Sequence, residues 1–106
     1  MNSIIRGTNA TIRLTLKDNI DFSTITSLEL YLDQPGNKII KNLSTLDLDP
    51  ENKTITYKLS QEESLSLNPN RSVQIYAIGI ANGDRFETRP IIKVMVEPTS
   101  KDEVMT

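Results

Sequence analysis

Two groups of carboxylates have spacing that could support chemistry: Asp47, Asp49 and Glu51, and the adjacent pair Glu62 and Glu63. The first has the spacing that opens a calcium-binding EF-hand loop, where carboxylates at positions 1, 3 and 5 wrap the ion. The rest of that loop fails, because Asn52 stands where a glycine is needed and Lys58 where a bidentate glutamate is needed. A solvated turn is the better reading. Glu62 and Glu63 could be imagined as a general acid and base, but neighbours on a helical turn point about 100° apart. The chain has no histidine and no cysteine, which removes the side chains most used for nucleophilic catalysis, transition-metal binding and proton transfer near neutral pH. No catalytic residue, metal site or cofactor is therefore expected, and the chain reads as a non-enzyme.

The elements around these residues alternate apolar and polar positions, the signature of half-buried strands. Ile12, Leu14 and Leu16 share one face of a strand in the segment Asn9 to Lys17, and Leu28, Leu30 and Leu32 share one face of Thr26 to Asp33. Pro35 and Gly36 then supply the φ values of a type II turn, returning the chain as a hairpin over Lys38 to Lys41. A weaker strand around Thr45 to Leu48 precedes Lys53 to Leu59, in which Ile55, Tyr57 and Leu59 point inward. Ser60 and Glu63 match a capping box, predicting one helical turn over Gln61 to Leu65 tied to the core by Leu65 and Leu67. With hydrophobic residues at 37% and no tryptophan, the core must be built from isoleucine, leucine and valine. These readings predict an all-β antiparallel sandwich of about seven or eight strands with one short helical turn. Residues 1–97 form that domain and 98–106 a polar, loosely held C-terminal tail.

Ser72 to Ala81 differs from the other strands, because Val73, Ile75, Ala77, Gly79 and Ala81 fill one face while Tyr76, Ile78 and Ile80 fill the other. Such a strand is either covered on both faces within the monomer or covered on one by another subunit. Tyr76, Ile78 and Ile80 are therefore the candidate interface, and a homo-oligomer is the expected state. Gly79 marks a bulge or a close backbone approach. Asn82 and Gly83 give the tightest hairpin signal of the chain. In the returning segment Arg85 to Glu97, Pro90 should bend the strand or hold it at an edge.

A net charge of −2 with both signs interspersed concentrates no polyanion on any face, so nucleic acid is not an expected partner. No run approaches the roughly 18 apolar residues of a membrane helix, and the N-terminus lacks a signal-peptide pattern, so the chain reads as unexported and membrane-free. On that reading the sequons at Asn9, Asn42, Asn52 and Asn70 are accidental. Tyr31 and Tyr76 are the one pair of aromatics that could form a sugar platform, which keeps a carbohydrate- or host-surface-binding module as the alternative function.

Arg6-Gly7-Thr8 at the opening, Leu59-Ser60-Gln61-Glu62-Glu63 in the middle, Ile91-Ile92-Lys93 in the last strand and Lys101-Asp102-Glu103 at the end carry a resemblance. The chain resembles the small immunoglobulin-like structural proteins of phages and prophages of Gram-positive bacteria. Those proteins open with an Arg-Gly-Thr segment, carry a Leu-(Ser/Thr)-Gln-Glu-Glu capped turn and end in a Lys-Asp tail. The family's Thr-Pro after the opening motif is absent, and Asn82-Gly83 needs a gap to align. The resemblance implies an immunoglobulin-like fold and a tail, neck or baseplate component. Such a protein is made in the bacterial host cytoplasm, resides in the virion and is partnered by other phage structural proteins.

Overall fold

The alternating segments condense into strands wherever their apolar face finds a second sheet to cover it. The structure, a computed structural model, describes residues 3–89 and 91–105. In chain order the strands are β1 (Ser3–Ile5), β2 (Thr11–Thr15), β3 (Ile25–Gln34), β4 (Asn37–Asn42), β5 (Asp47–Asp49), β6 (Thr54–Lys58), β7 (Arg71–Ala81), β8 (Asp84–Glu87) and β9 (Ile92–Glu97). One α-helical turn, α1 (Gln61–Leu65), precedes β7, and short 3-10 turns occupy Phe22–Thr24 and Leu43–Thr45. The larger sheet runs β1-β9-β7-β3-β4 with β8 also on β7, and the smaller runs β2-β6-β5. Leu28, Leu30, Leu32, Val73, Ile75, Val94 and Val96 from the first meet Ile12, Leu14 and Ile55 from the second in one buried cluster. The expected all-β sandwich with one helical turn is the observed architecture.

Three features differ in detail from the sequence expectation. Among the described residues the strand segments number nine, above the expected seven or eight, partly because the return after Asn82-Gly83 breaks into β8 and β9. Both pair with β7, β8 at Ile78 to Ala81 and β9 at Arg71 to Ile75, so they lie end to end along one side of it. Pro90, where a bend was expected, lies outside the described residues. The arrangement is also not wholly antiparallel: β1 runs parallel to β9, with Ile4 opposite Val96. A segment as short as Ser3–Ile5 shows no readable alternation, and its pairing is set by the burial of Ile4, which is 0% exposed. The segment after β9, expected to be loosely held, makes hydrogen bonds at Asp102 and Met105. Arg6 Nη1 donates to Asp102 at 2.8 Å, while Met105 N–H donates to Gln61 Oε1 at 2.7 Å and its carbonyl accepts from Gln61 Nε2 at 2.9 Å.

Turn chemistry sets the register. Gly36 takes φ +77° between β3 and β4, the left-handed value a type II turn needs at its third residue, and the pairing Gln34 with Asn37 places Tyr31 opposite Ile40. Asn82 and Gly83 take φ 52° and 78°, the two positive values of a type I′ hairpin turn. Gly79 is the predicted close approach. A Cβ there would stand 2.7 Å from Phe86 Cζ and 2.7 Å from the Ser27 carbonyl oxygen, so β3 and the Phe86 ring both occupy the space a side chain would take. Gly79→Ala is expected to cost about 1 to 3 kcal/mol through overpacking against backbone that cannot rotate away. Thermal unfolding measures this, and an unchanged Tm would show that the spacing of β3 and β7 is elastic.

Candidate functional site

The pleat of β7 puts Val73, Ile75, Ala77 and Gly79 in the core and leaves Gln74, Tyr76, Ile78 and Ile80 on the outward face of the large sheet. Tyr76 is directly opposite Tyr31 on β3, Ile78 opposite Glu29, and Ile80 opposite Ser27. On the far side of Tyr31 lies Ile40 of β4. The candidate residues Tyr76, Ile78 and Ile80 are thus brought together on one surface, joined by Tyr31 and Ile40. Ile40 is 47% and Ile80 39% exposed. Tyr31, Tyr76 and Ile78 are half-buried; the rim is charged, with Lys38, Asp33, Glu29, Arg85 and Glu87 in the neighbouring register positions.

The two tyrosine rings stack on each other, centroids 5.0 Å apart and planes inclined by 11°. Tyr76 Oη donates to Asp33 Oδ2 at 3.0 Å and Tyr31 Oη to Glu29 Oε1 at 3.1 Å. Lys38 Nζ sits 6.0 Å from the Tyr31 centroid. Partial burial, followed by the neighbouring carboxylates Asp33 and Glu29, raises both phenol pKa values above the usual tyrosine range. Both hydroxyls therefore stay protonated donors across the physiological range. Rings that stack on each other present less free face than the open platforms that bind sugars.

The capping box forms as its residues predict. Ser60 Oγ accepts from Glu63 N–H at 3.1 Å, and Glu63 Oε1 accepts from Ser60 N–H at 2.9 Å. The sequence did not reveal what else Glu63 holds. Its carboxylate accepts from Tyr57 Oη at 2.7 Å and pairs with Lys41 Nζ at 2.5 Å, and Lys41 also lies 5.5 Å from the Tyr57 ring centroid. Strand β4 of one sheet, β6 of the other and the first turn of α1 meet on this one side chain. Burial opposes ionisation of Glu63, but the hydrogen bonds from Lys41, Ser60 and Tyr57 outweigh it and lower the pKa below its ordinary value. Neither Glu62 nor Glu63 is arranged as an acid and base pair; Glu63 is committed to the cap and the inter-sheet contact.

The acidic run takes a structural part as well. Asp49 accepts from Asn52 N–H at 3.2 Å and from Asn52 Nδ2 at 2.7 Å, closing the turn into β6. Among the described residues no group of three histidine, cysteine, aspartate or glutamate side chains is disposed to hold a metal ion.

A second cluster, unforeseen as a contact, joins segments far apart in the chain. Arg6 Nη2 donates to the Leu65 carbonyl at 2.8 Å, and Gly7 N–H donates to Ser64 Oγ at 2.9 Å. Ser64, wholly buried, donates in turn to the Ile5 carbonyl at 3.2 Å. With the Arg6 to Asp102 pair, the Arg-Gly-Thr opening, the capped turn and the Lys-Asp end all meet at one end of the sandwich. No alternation marks such contacts, because each rests on a single polar residue. Ile40 was legible in principle, since the two-residue turn at Pro35-Gly36 fixes it opposite Tyr31.

No helix among the described residues is long and apolar enough to cross a membrane. Compared with protein-family models and with curated proteins, the sequence matches none.

Ser60→Ala is expected to cost about 1 kcal/mol, the usual worth of an N-cap hydroxyl; coincident melting curves would show that the turn does not depend on it. Because Glu63 has a depressed folded pKa, its contribution is present above the ordinary carboxylate value of 4.5 and is lost as pH falls through the lower folded value. Glu63→Gln should therefore be less stable than the parent near neutral pH, with the difference shrinking below pH 4.5. Denaturant unfolding at a series of pH values checks the sign, and a gap that widens in acid would refute it.

Proposed function

We propose that this chain is a non-enzymatic, immunoglobulin-like structural module of a phage or prophage virion that acts through protein–protein assembly. The outward face of β7, β3 and β4 is its contact surface. The observation that carries this reading is the row of Ile40, Tyr31, Tyr76, Ile78 and Ile80 on the outward face, with Ile40 and Ile80 exposed, the other three half-buried, and charged side chains at the neighbouring register positions. An apolar face of this kind in water favours association by roughly 25 cal/mol for each Å² of apolar area removed from solvent. Its aromatic centre and charged rim match the anatomy of protein interfaces.

The reading takes up the resemblance to phage structural proteins, whose opening residues Arg6 and Gly7 here contact Ser64, Leu65 and Asp102. Of the short motifs that carry it, the opening touches the tail through Arg6 and Asp102 and touches the helical turn that follows the middle motif through Ser64 and Leu65. In this reading the partners are other phage structural proteins and further copies of the chain. The protein is made in the bacterial host cytoplasm and resides in the virion, as a tail, neck or baseplate component. Of the pair weighed as an acid and base, Glu62 and Glu63, the second is engaged in structural hydrogen bonds. The alternative, a carbohydrate- or host-surface-binding module, would rest on Tyr31 and Tyr76, whose mutual stacking makes them a poor platform.

The double variant Ile78→Lys/Ile80→Glu separates these readings. It should keep the parent's circular dichroism and melt cooperatively, yet sediment as a monomer and fail to enter assembled particles. Assembly equal to that of the parent would remove this face from the function. Saturable shifts of the tyrosine resonances on titration with oligosaccharides would favour the binding module instead.

A further inference from the structure

The two sheets are unequal in width, and the sandwich is closed on one side only. Where β4 faces β6, Lys41, Glu63 and Tyr57 span the gap. Just beyond, Gln34 Nε2 donates to the Asn68 carbonyl at 3.0 Å and Asn68 N–H donates to Gln34 Oε1 at 2.8 Å. On the opposite side β2 is the edge of the small sheet, and β8 and β9 face it from the large one. Ile92 records the mismatch. It is paired with Ile75, which is 2% exposed, so its side chain faces the core, yet it is 40% exposed. A cleft of about 70 Å³ opens there between Ile12 and Leu14 on one sheet and Ile92 and Val94 on the other. Further along the same side, a groove of about 250 Å³ passes Leu16, Ile20 and Phe86.

The backbone beside this cleft is unpaired in a definite pattern. Leu59 N–H donates to the Ala10 carbonyl at 2.9 Å and Leu16 N–H to the Lys53 carbonyl at 2.7 Å. Antiparallel pairing alternates, so Ile12 and Leu14 also direct their amides and carbonyls toward β6. The N–H and C=O groups of Thr11, Arg13 and Thr15 then point out of the free edge, where the described residues place no strand.

We propose that this open side accepts a strand: an extended, acidic segment of another protein chain pairs with the free edge of β2. Its alternate apolar side chains enter the cleft between Ile12, Leu14, Ile92 and Val94. Charge selects the occupant. Arg13 and Lys17 on the β2 side make no ion pair among the described residues; Arg13 shares the outward face of the small sheet with Asp47 and Asp49, of which Asp49 is taken up by Asn52. Glu87, on the same rim, is taken up by Arg85 and Arg89 at 3.4 and 3.3 Å, and Asp21 and Asp84 stand past Ile20 at the far end. A second copy pairing through its own β2 with the two-fold axis at the middle of the strand would set Arg13 against Arg13, and like charges directly opposite are destabilising. A carboxylate opposite Arg13 answers both the charge and the edge. This surface is separate from the Tyr31 and Tyr76 face and does not depend on it.

The test is titration of the isotope-labelled full chain with a peptide of about eight residues alternating valine and aspartate, in parallel with one alternating valine and lysine. Saturable binding of the acidic peptide is expected, with slowed amide exchange at Thr11, Arg13 and Thr15 and methyl shifts at Ile12, Leu14, Ile92 and Val94. Arg13→Glu should weaken it about tenfold, through loss of one cross-strand charge pair and gain of a like-charge pair, while improving binding of the basic peptide. The Ile78→Lys/Ile80→Glu variant should bind the acidic peptide as the parent does, which keeps failure of the outer-face reading distinct from failure of this one. Equal binding of the two peptides, or no protection of those amides, overturns the proposal. Protection that grows with protein concentration in the absence of peptide would assign the edge to a second copy and overturn the acidic partner.

Discussion

Backbone hydrogen bonding along both sides of β7 is the constraint on which the large sheet depends. One long strand, Arg71–Ala81, is registered against β3 from Ile25 to Asp33 on one side and against β8 and β9 in succession on the other. A strand paired on both edges has no freedom to slip, because a shift of one residue would turn Val73, Ile75 and Ala77 out to solvent and bring Gln74 and Tyr76 into the core. The close approach at Gly79 belongs to the same constraint. Phe86 and the Ser27 carbonyl fill the place of a side chain there, so the outer face of β7 is held in one register with Tyr31 and Tyr76 opposed.

Closure of the sandwich is asymmetric, and polar side chains produce the asymmetry. Where α1 crosses between the sheets, Glu63 is at once the N3 residue of the cap, the partner of Lys41 and the acceptor for Tyr57. Gln34, only 2% exposed, forms a reciprocal pair of hydrogen bonds with Asn68. Buried polar groups that are fully satisfied specify one geometry and penalise alternatives, because a missing partner leaves a desolvated group unpaired. Among the described residues no comparable polar bridge joins β2 to β9, and Ile92 faces inward yet is 40% exposed. Among the described residues one flank is therefore sealed and the other leaves the β2 edge without a strand partner.

The amino-acid sequence by itself determined the class of fold and most of its strands, because period-two alternation and turn residues are local. Ile12 with Leu14, the row from Leu28 to Leu32, the turns at Gly36 and at Asn82 with Gly83, and the Ser60 to Glu63 cap were legible for that reason. So was the outward apolar row of Tyr76, Ile78 and Ile80. Tertiary structure decided what depends on sheet order and on contacts between distant residues. The parallel pairing of β1 with β9, the addition of Tyr31 and Ile40 to the outer face, and the meeting of Arg6 and Gly7 with Ser64, Leu65 and Asp102 are of this kind. So is the unequal width of the sheets. Alternation says which face of a strand is buried, but the strands beside it follow from how the whole chain covers its core. A free edge on β2 is therefore visible only once the neighbours of every strand are known.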